Sequence, residues 1–358
     1  MKLIPYSDLK DFVARLFIQM GASPINAQQG AEVLLSADLR GVDSHGIARL
    51  EGYVRLKELG RIDLLAEPEI VHETPSTATM DGKSGLGLMI APVAMRLAIK
   101  KAEQCGTGWV AVSNSSHFGI AGYHAMMALP HDMIGIAMTN ASALVAPTFS
   151  RERLLGTNPI SMAIPAGEEP PFVADFATTT ASNGKLELLQ RSGQQTPSGW
   201  VQDETGIACT DPDILKKGGA LLPLGSDKER SSHKGYMLGS MVDILSGILS
   251  GANYGPWVPP FPAYVPMPQN MPGKGIGHFF GAMRIDAFRK AQDFKYEMDN
   301  WIRRFRTADA ISGKEVVIPG DPEREMEKER RMRGIHIDNQ FLAIMRRLAD
   351  QYQINFFE

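Results

Sequence analysis

The sequence predicts a mixed α/β protein, and three observations carry that prediction. Apolar residues recur at helical spacing over the first sixty positions. Short β-like runs follow between about residues 69 and 176, and helical spacing returns after residue 235. With 358 residues, 44% hydrophobic and 22% charged, the chain has ordinary globular composition and length for two or three domains.

The elements follow in order. Leu9, Phe12, Val13, Leu16, Phe17 and Met20 form an amphipathic helical stripe between Ser7 and Gly21. Ser23-Pro24 supplies an N-cap and a first-turn proline for a second helix, whose apolar face carries Ile25, Val33, Leu34 and Ala37. A third helix is expected from about Ser44 to Leu59, closed by Gly60. At about 100° per residue, Ile47, Leu50 and Val54 gather on one side of it. His45, Arg49 and Tyr53, at i, i+4 and i+8, line the opposite side.

Strands are expected at Glu69–Glu73, Thr77–Met80, Trp109–Ser113, Met133–Thr139, Ile160–Ile164, Phe172–Phe176 and His278–Ile285. Helices are expected at about Met89–Gln104, from Ala121, and at Gly235–Leu249 with Leu238, Met241, Val242, Leu245 and Leu249 on one stripe. Two more are expected at Phe288–Arg306 and Glu323–Arg333. The loop from Gly251 to Gly277 holds seven prolines with Tyr254, Trp257, Phe261 and Tyr264, too apolar for a solvated linker, so it should pack on something.

A net charge of −3 argues against nucleic acid and membrane surfaces as partners. The two cysteines, Cys105 and Cys209, stand alone, which argues against a disulfide framework and a structural zinc site. The opening residues lack a signal-peptide pattern, and Tyr236–Ala252 falls short of the ~20 apolar residues that span a bilayer. A soluble cytoplasmic protein is expected. The nearest approach to GxGxxG is Gly85-Leu86-Gly87, whose third glycine position is Ile90, and GxxxxGK[ST], HExxH and GxSxG are absent.

Three polar clusters remain. Arg40-Gly41-Val42-Asp43-Ser44-His45-Gly46 leads into Arg49 and Tyr53; an imidazole one turn from a guanidinium can exchange a proton beside a clamped carboxylate. The plainer account is a helix cap with a solvated His and Arg. Ser113-Asn114-Ser115-Ser116-His117-Phe118-Gly119 lies where a strand ends and a helix begins, a place for anions or chemistry, or simply a Ser/Asn-rich turn. Gly156-Thr157-Asn158-Pro159, Asp175-Phe176-Ala177-Thr178-Thr179-Thr180, Asn183-Gly184-Lys185 and Ser232-His233-Lys234-Gly235 offer groups for ribose and phosphate, or are turns and caps. His72, His124, His131, His278 and His336 have no second ligand at metal spacing, so no metal is expected.

Taken in order, Leu39 through Gly46 with Arg49 and Tyr53, Asn114–Gly119, Gly156–Pro159, Asp175 and His233-Lys234-Gly235 resemble the type-2 malate/L-lactate dehydrogenase family. That family includes ureidoglycolate dehydrogenase, diketogulonate reductase and piperideine-carboxylate reductase. The resemblance implies a non-Rossmann NAD(P)-binding fold with a central, largely antiparallel sheet and a flanking helical domain. Residues 1–75 would form the helical domain, joined by C-terminal helices in 286–358, and 76–285 the cofactor-binding domain. It implies a homodimer whose cofactor is NAD, with NADP as the alternative.

By the same resemblance, His45 and His117 are the competing acid/base candidates, Arg49 the carboxylate clamp, and Ser44 and Tyr53 substrate-orienting residues. Asn140, Asn158, Asp175, Phe176 and Ala177 would lie near nicotinamide and ribose, Lys234 and Gly235 near phosphate, and Gly320, Asp321 and Pro322 near the far end. The implied reaction interconverts a 2-oxo acid and a 2-hydroxy acid, malate/oxaloacetate first and L-lactate/pyruvate next. The alternatives are a reductase of a diketogulonate-like or cyclic imino acid, or a non-catalytic cofactor-binding relative. Some ureidoglycolate-acting members carry a lysine in the stretch that here reads Thr139-Asn140-Ala141-Ser142, which argues against that substrate. The proline-rich loop is expected to cover the site or the dimer seam.

Overall fold

The computed structural model describes residues 2–262 and 265–356, so Tyr264 of the proline-rich loop lies outside the described residues. The chain begins with β1 (Lys2–Ile4), α1 (Tyr6–Gln19) and α2 (Pro24–Leu39). Ser23 caps α2 by accepting the Asn26 N–H, as the Ser-Pro pair predicts. Two 3₁₀ turns, Asp43–His45 and Ile47–Arg49, lead into α3 (Leu50–Glu58). Next come β2 (Glu69–Glu73), β3 (Thr77–Asp81), α4 (Gly87–Cys105), β4 (Thr107–Ser115), α5 (Ala121–Met126), β5 (Met133–Thr139), β6 (Ile160–Ile164) and β7 (Phe172–Phe176).

The chain then forms α6 (Asn183–Ser192) and three short strands, β8 (Val201–Gln202), β9 (Ala208–Cys209) and β10 (Ala220–Leu221). α7 (Ser232–Asp243) runs on into a π-helical turn at Ile244–Ile248. β11 (Ile276–Arg284), α8 (Ala291–Arg306), α9 (Asp321–Arg333), β12 (Ile335–Ile337) and α10 (Asn339–Tyr352) complete it.

The central seven-stranded sheet runs β2-β3-β4-β11-β5-β6-β7. Only the β3–β4 pair is parallel; every other neighbour is antiparallel. The molecule is therefore mixed α/β with a largely antiparallel sheet. Apolar residues of α4 and α5, among them Ala94, Met95 and Ala125, pack against Val110, Val112 and Phe280 of the sheet. A separate core joins both chain ends: Phe12, Leu16 and Phe17 of α1 pack with Tyr53, Ile335 and Met345, while β1 pairs with β12.

Three local expectations need correction. The helix expected over Ser44–Leu59 is broken, because the buried Asp38 carboxylate captures the Ile47 N–H and the chain turns at a non-helical Gly46 before α3 begins. His45, Arg49 and Tyr53 therefore do not form a row on one continuous helix, and Tyr53 is wholly buried in the terminal core. Ile25 points outward, 82% exposed, in the first turn of α2. On α7 the expected stripe is split: Val242 is wholly buried, on the side where Gly235 and Gly239 let the helix press against Leu224 and Thr178. Met241 and Leu249 are left exposed as a consequence.

Candidate active site

Two loops deliver the candidate catalytic side chains, and each is held from behind. The first follows α2. Arg330 donates to the Asp38 carbonyl and the Asp43 carboxylate, and the Asp38 carboxylate holds Ile47 N at 2.8 Å. Burial pushes Asp38 up to about 8. The second loop follows β4. Ser116 Oγ accepts from Gly87 N at 3.0 Å and donates to the Gly85 carbonyl at 3.1 Å. Phe118 stacks on His278 with ring centroids 4.7 Å apart, and His278 bridges Ser115 and Thr139 at 2.8 and 2.7 Å inside the sheet. His278 and His124 are thus core histidines, as their lack of metal-spaced partners predicts.

These loops bring Ser44, His45, Arg49, Tyr53 and His117 together. The His45 and His117 rings stack 5.5 Å apart at 29°. Ser44 Oγ lies 2.9 Å from His45 Nδ1, and the Tyr53 hydroxyl lies 2.6 Å from His117 Nδ1. Each imidazole therefore has its Nδ1 engaged, which orients the ring and leaves Nε2 for chemistry. Arg49 Nε donates to the Ser44 carbonyl, and its Nη2 lies 3.7 Å from Glu187 on α6. α6 closes on Ser44 because position 184 is glycine: a Cβ there would stand 2.4 Å from the Ser44 Cβ.

Electrostatics set the resting protonation. Removal from water, and secondarily the Arg49 cation, push His45 down to about 4. Burial first, then the charges of His45, Arg49 and His278, hold His117 well below the ordinary histidine value. Both imidazoles are neutral at pH 7, ready to accept a proton. A carboxylate docked on Arg49 would offset that cation and shift both values upward, while burial continues to hold them low.

Part of the proline-rich loop closes the cluster. The Phe261 ring lies 4.9 Å from His117 and 5.4 Å from Tyr53, with the Arg49 guanidinium 5.8 Å from its centroid. Sequence reasoning singled out this loop but not Phe261 as its contact. It also passed over Glu187 and Asp38; the readable signal for Asp38 is a carboxylate set among the apolar residues Leu34, Leu35, Ala37 and Leu39.

The other predicted residues lie outside this cluster, around α7, at the end of β7 and at the start of α9. Around α7, Asn158 donates to the Gly239 carbonyl and accepts from Ala141 N, while Asn140 donates to Asp243 and the Asn253 carbonyl and accepts from Gly277 N. Both amides are buried and committed to the protein's own groups. Lys234 is exposed and Gly235 is pressed on Leu224. Asp175 reaches solvent beside exposed Phe176 and partly buried Ala177 at the end of the edge strand β7. Its Oδ2 accepts Gly122 N at 2.7 Å, and the enclosing protein pushes its carboxyl up to about 6.

The third place is the N-terminus of α9. Gly320 lies against Val173, Pro322 is exposed, and the Asp321 carboxylate is paired with Arg306 and Arg324. No group of three or more His, Cys, Asp or Glu among the described residues is arranged to hold a metal. No helix among them is long and apolar enough to cross a membrane.

Known proteins match the chain along nearly its whole length. The family model described as malate/L-lactate dehydrogenase matches residues 4–346. The chain is 42% identical over 306 residues to a malate dehydrogenase of Pyrococcus abyssi, covering 85% of this chain and 82% of that one. It is 36% identical over 353 residues to a malate/(S)-sulfolactate dehydrogenase of Methanothermus fervidus, covering 98% of each. The crystal structure of malate dehydrogenase from Entamoeba histolytica superposes with a TM-score of 0.92 at 34% identity, covering 99% of both chains. With the family model spanning nearly its whole length, the chain belongs to the malate/L-lactate dehydrogenase family.

Proposed function

We propose that the protein interconverts a 2-oxo acid and a 2-hydroxy acid by hydride transfer, with malate/oxaloacetate as the first pair and L-lactate/pyruvate as the second. The observation that carries this reading is the stacked His45–His117 pair beside Arg49, each imidazole oriented through Nδ1. Arg49 holds the C1 carboxylate, which places C2 against the imidazoles. A neutral imidazole takes the hydroxyl proton in oxidation, and the imidazolium returns it in reduction. His45 is the leading donor and His117 the competitor, while Ser44 and Tyr53 orient them.

A nicotinamide dinucleotide fits the residues outside this cluster. Asp175, with one oxygen on Gly122 N, offers a carboxylate to ribose hydroxyls, Phe176 offers an exposed aromatic face beside it, and Lys234 offers a cation. Ala177, Gly235, Gly320 and Pro322 contribute close-approach surface, while Asn140, Asn158 and Asp321 serve as scaffold. When bound, the nicotinamide supplies or accepts the hydride. This arrangement holds the cofactor without a doubly wound parallel sheet. NAD is the proposed cofactor and NADP the alternative, since a carboxylate at the ribose disfavours an added phosphate.

The site then lies between the helical part, 1–75 with 286–358, and the central part, 76–285. The exposed apolar run Met237, Met241, Ile244, Ile248 and Leu249 supports a homodimer, and two unpaired cysteines fit a reducing, cytoplasmic setting.

The test is oxidation of NADH and NADPH, separately, by the purified protein with oxaloacetate, pyruvate, 2,3-diketogulonate and a cyclic imino acid. Turnover with oxaloacetate is expected. Cofactor binding without turnover of any acceptor would overturn the reading in favour of a non-catalytic relative.

A further inference from the structure

The proline-rich loop does more than cover the site. It is pinned at its ends, where the Asn253 amide holds Gly273 N and the Gly275 carbonyl, each at 3.0 Å, and at its centre, where Phe261 N donates to Ser142 Oγ at 3.0 Å and Arg61 donates to the Pro260 carbonyl. At the central anchor the Phe261 ring enters a notch that exists only because residue 52 is glycine. A Cβ at Gly52 would stand 2.7 Å from Phe261 Cζ. The ring meets His117, Tyr53 and Arg49 on its inner side.

Phe261 and His117 also line a cavity of about 520 Å³ under the loop, together with Arg61, Met267, Met271 and Lys274. His45 and Arg49 do not line it. The aromatic ring therefore stands between His45 and Arg49 and an adjoining space that His117 itself borders, walled by Met267, Met271 and Ile276 together with Asn114 and Ser115, and rimmed by Arg61 and Lys274.

We propose that Phe261 is a specificity-determining residue: it partitions the substrate niche from this cavity and limits the enzyme to 2-oxo acids with short side chains. The proposal rests on the reading of the site as a 2-oxo acid reductase centre. A substrate held by Arg49 with C2 at the imidazoles must direct its side chain past the Phe261 ring. Truncating the ring joins the niche to the cavity, so a longer side chain gains apolar contact where it previously met the ring. One methylene in an apolar pocket is worth roughly 10–200-fold in kcat/KM.

The experiment compares kcat/KM for the short acids pyruvate and oxaloacetate with that for a six-carbon straight-chain 2-oxo acid and an aryl-substituted one. Wild type, Phe261→Ala, Phe261→Leu and Gly52→Ala are measured, each checked for native circular dichroism. The long-to-short ratio should rise at least about tenfold in Phe261→Ala and less in Phe261→Leu. It should rise also in Gly52→Ala, whose Cβ displaces the ring from its notch. The gain should come through a lower KM for the longer acids, whereas a merely structural role would lower kcat for all acids alike.

Should Phe261→Ala fail to fold, the other two variants carry the test. Folded variants with the wild-type ratio overturn the proposal and leave the reaction class standing. A wild type that turns over none of these four acids but reduces 2,3-diketogulonate or a cyclic imino acid overturns the proposal alone; one that turns over no acceptor at all refutes the reaction class, and the proposal with it.

Discussion

Ser44, His45 and Arg49 hang on a turn whose tightness depends on Gly46, so Gly46→Ala tests whether that turn sets the catalytic geometry. A Cβ at Gly46 would lie 2.1 Å from the Asp38 Cγ and Oδ2 and 2.2 Å from its Oδ1. Ordinary contact begins near 3.4 Å, so the separation must grow by about 1.3 Å. Asp38 cannot retreat: it is 2% exposed on α2, and its carboxylate is bonded to Ile47 N. The turn must move instead, and it carries His45. A displacement on the 1 Å scale costs on the order of 10²-fold in rate, and overpacking of this kind costs about 1–3 kcal/mol in stability. Steady-state turnover and urea unfolding of the purified variant measure the two. Gly60→Ala is the control, since nothing lies within 4 Å of its Cβ while its φ is +65°. It should lose about 1–2 kcal/mol of stability to backbone strain and no turnover. A folded Gly46→Ala enzyme with wild-type kcat would refute the argument.

Three further outcomes are expected. His45→Ala should lower kcat by about 10²–10⁴-fold; near-wild-type turnover would move the proton-transfer role to His117, to be checked in His117→Ala. Arg49→Met should raise KM for the 2-oxo acid at least about tenfold, from loss of charged hydrogen bonds. It should also raise the His45 pKa from its value of about 4, because a neighbouring cation is gone. Oxidation needs the neutral imidazole, so the acid limb of kcat/KM should shift to higher pH; a profile superimposed on wild type would contradict this. For Asp38, the folded value of about 8 against an ordinary 3.8 means the folded state holds a proton that the unfolded state has released. That contribution is complete below about pH 4 and is lost as pH rises toward 8. Asp38→Asn should therefore gain stability relative to wild type between pH 5 and pH 8 in urea unfolding, and a constant difference would count against it.

Local pattern carries much of the fold. The strands Met133–Thr139, Ile160–Ile164 and Phe172–Phe176 end where the sequence places them, and Ser23-Pro24 starts α2 as read. The tightly turned stretch after α2 is different, since an acid on one helix intercepts an N–H nine residues later and breaks a helix that periodicity alone would continue. α7 buries only part of its expected stripe for a similar reason. Periodicity reports which residues share a side, but which side is buried depends on whether glycines admit a neighbour.

The residue types of the candidate site are legible in the sequence as well: His45, Arg49 and His117 stand in polar clusters that a bland surface does not need. Their meeting is not legible. Tyr53 and His117 are 64 positions apart, and Phe261 reaches both from a third loop. The sequence by itself determined the mixed α/β class, most of the strands and the chemistry on offer, because propensity, capping and apolar spacing act over a few residues. Only the tertiary structure decided that Tyr53 is buried, that the two imidazoles stack, that Glu187 faces Arg49 and that Phe261 packs against His117 and Tyr53. Those facts depend on burial and contact between distant segments, which a one-dimensional pattern does not encode.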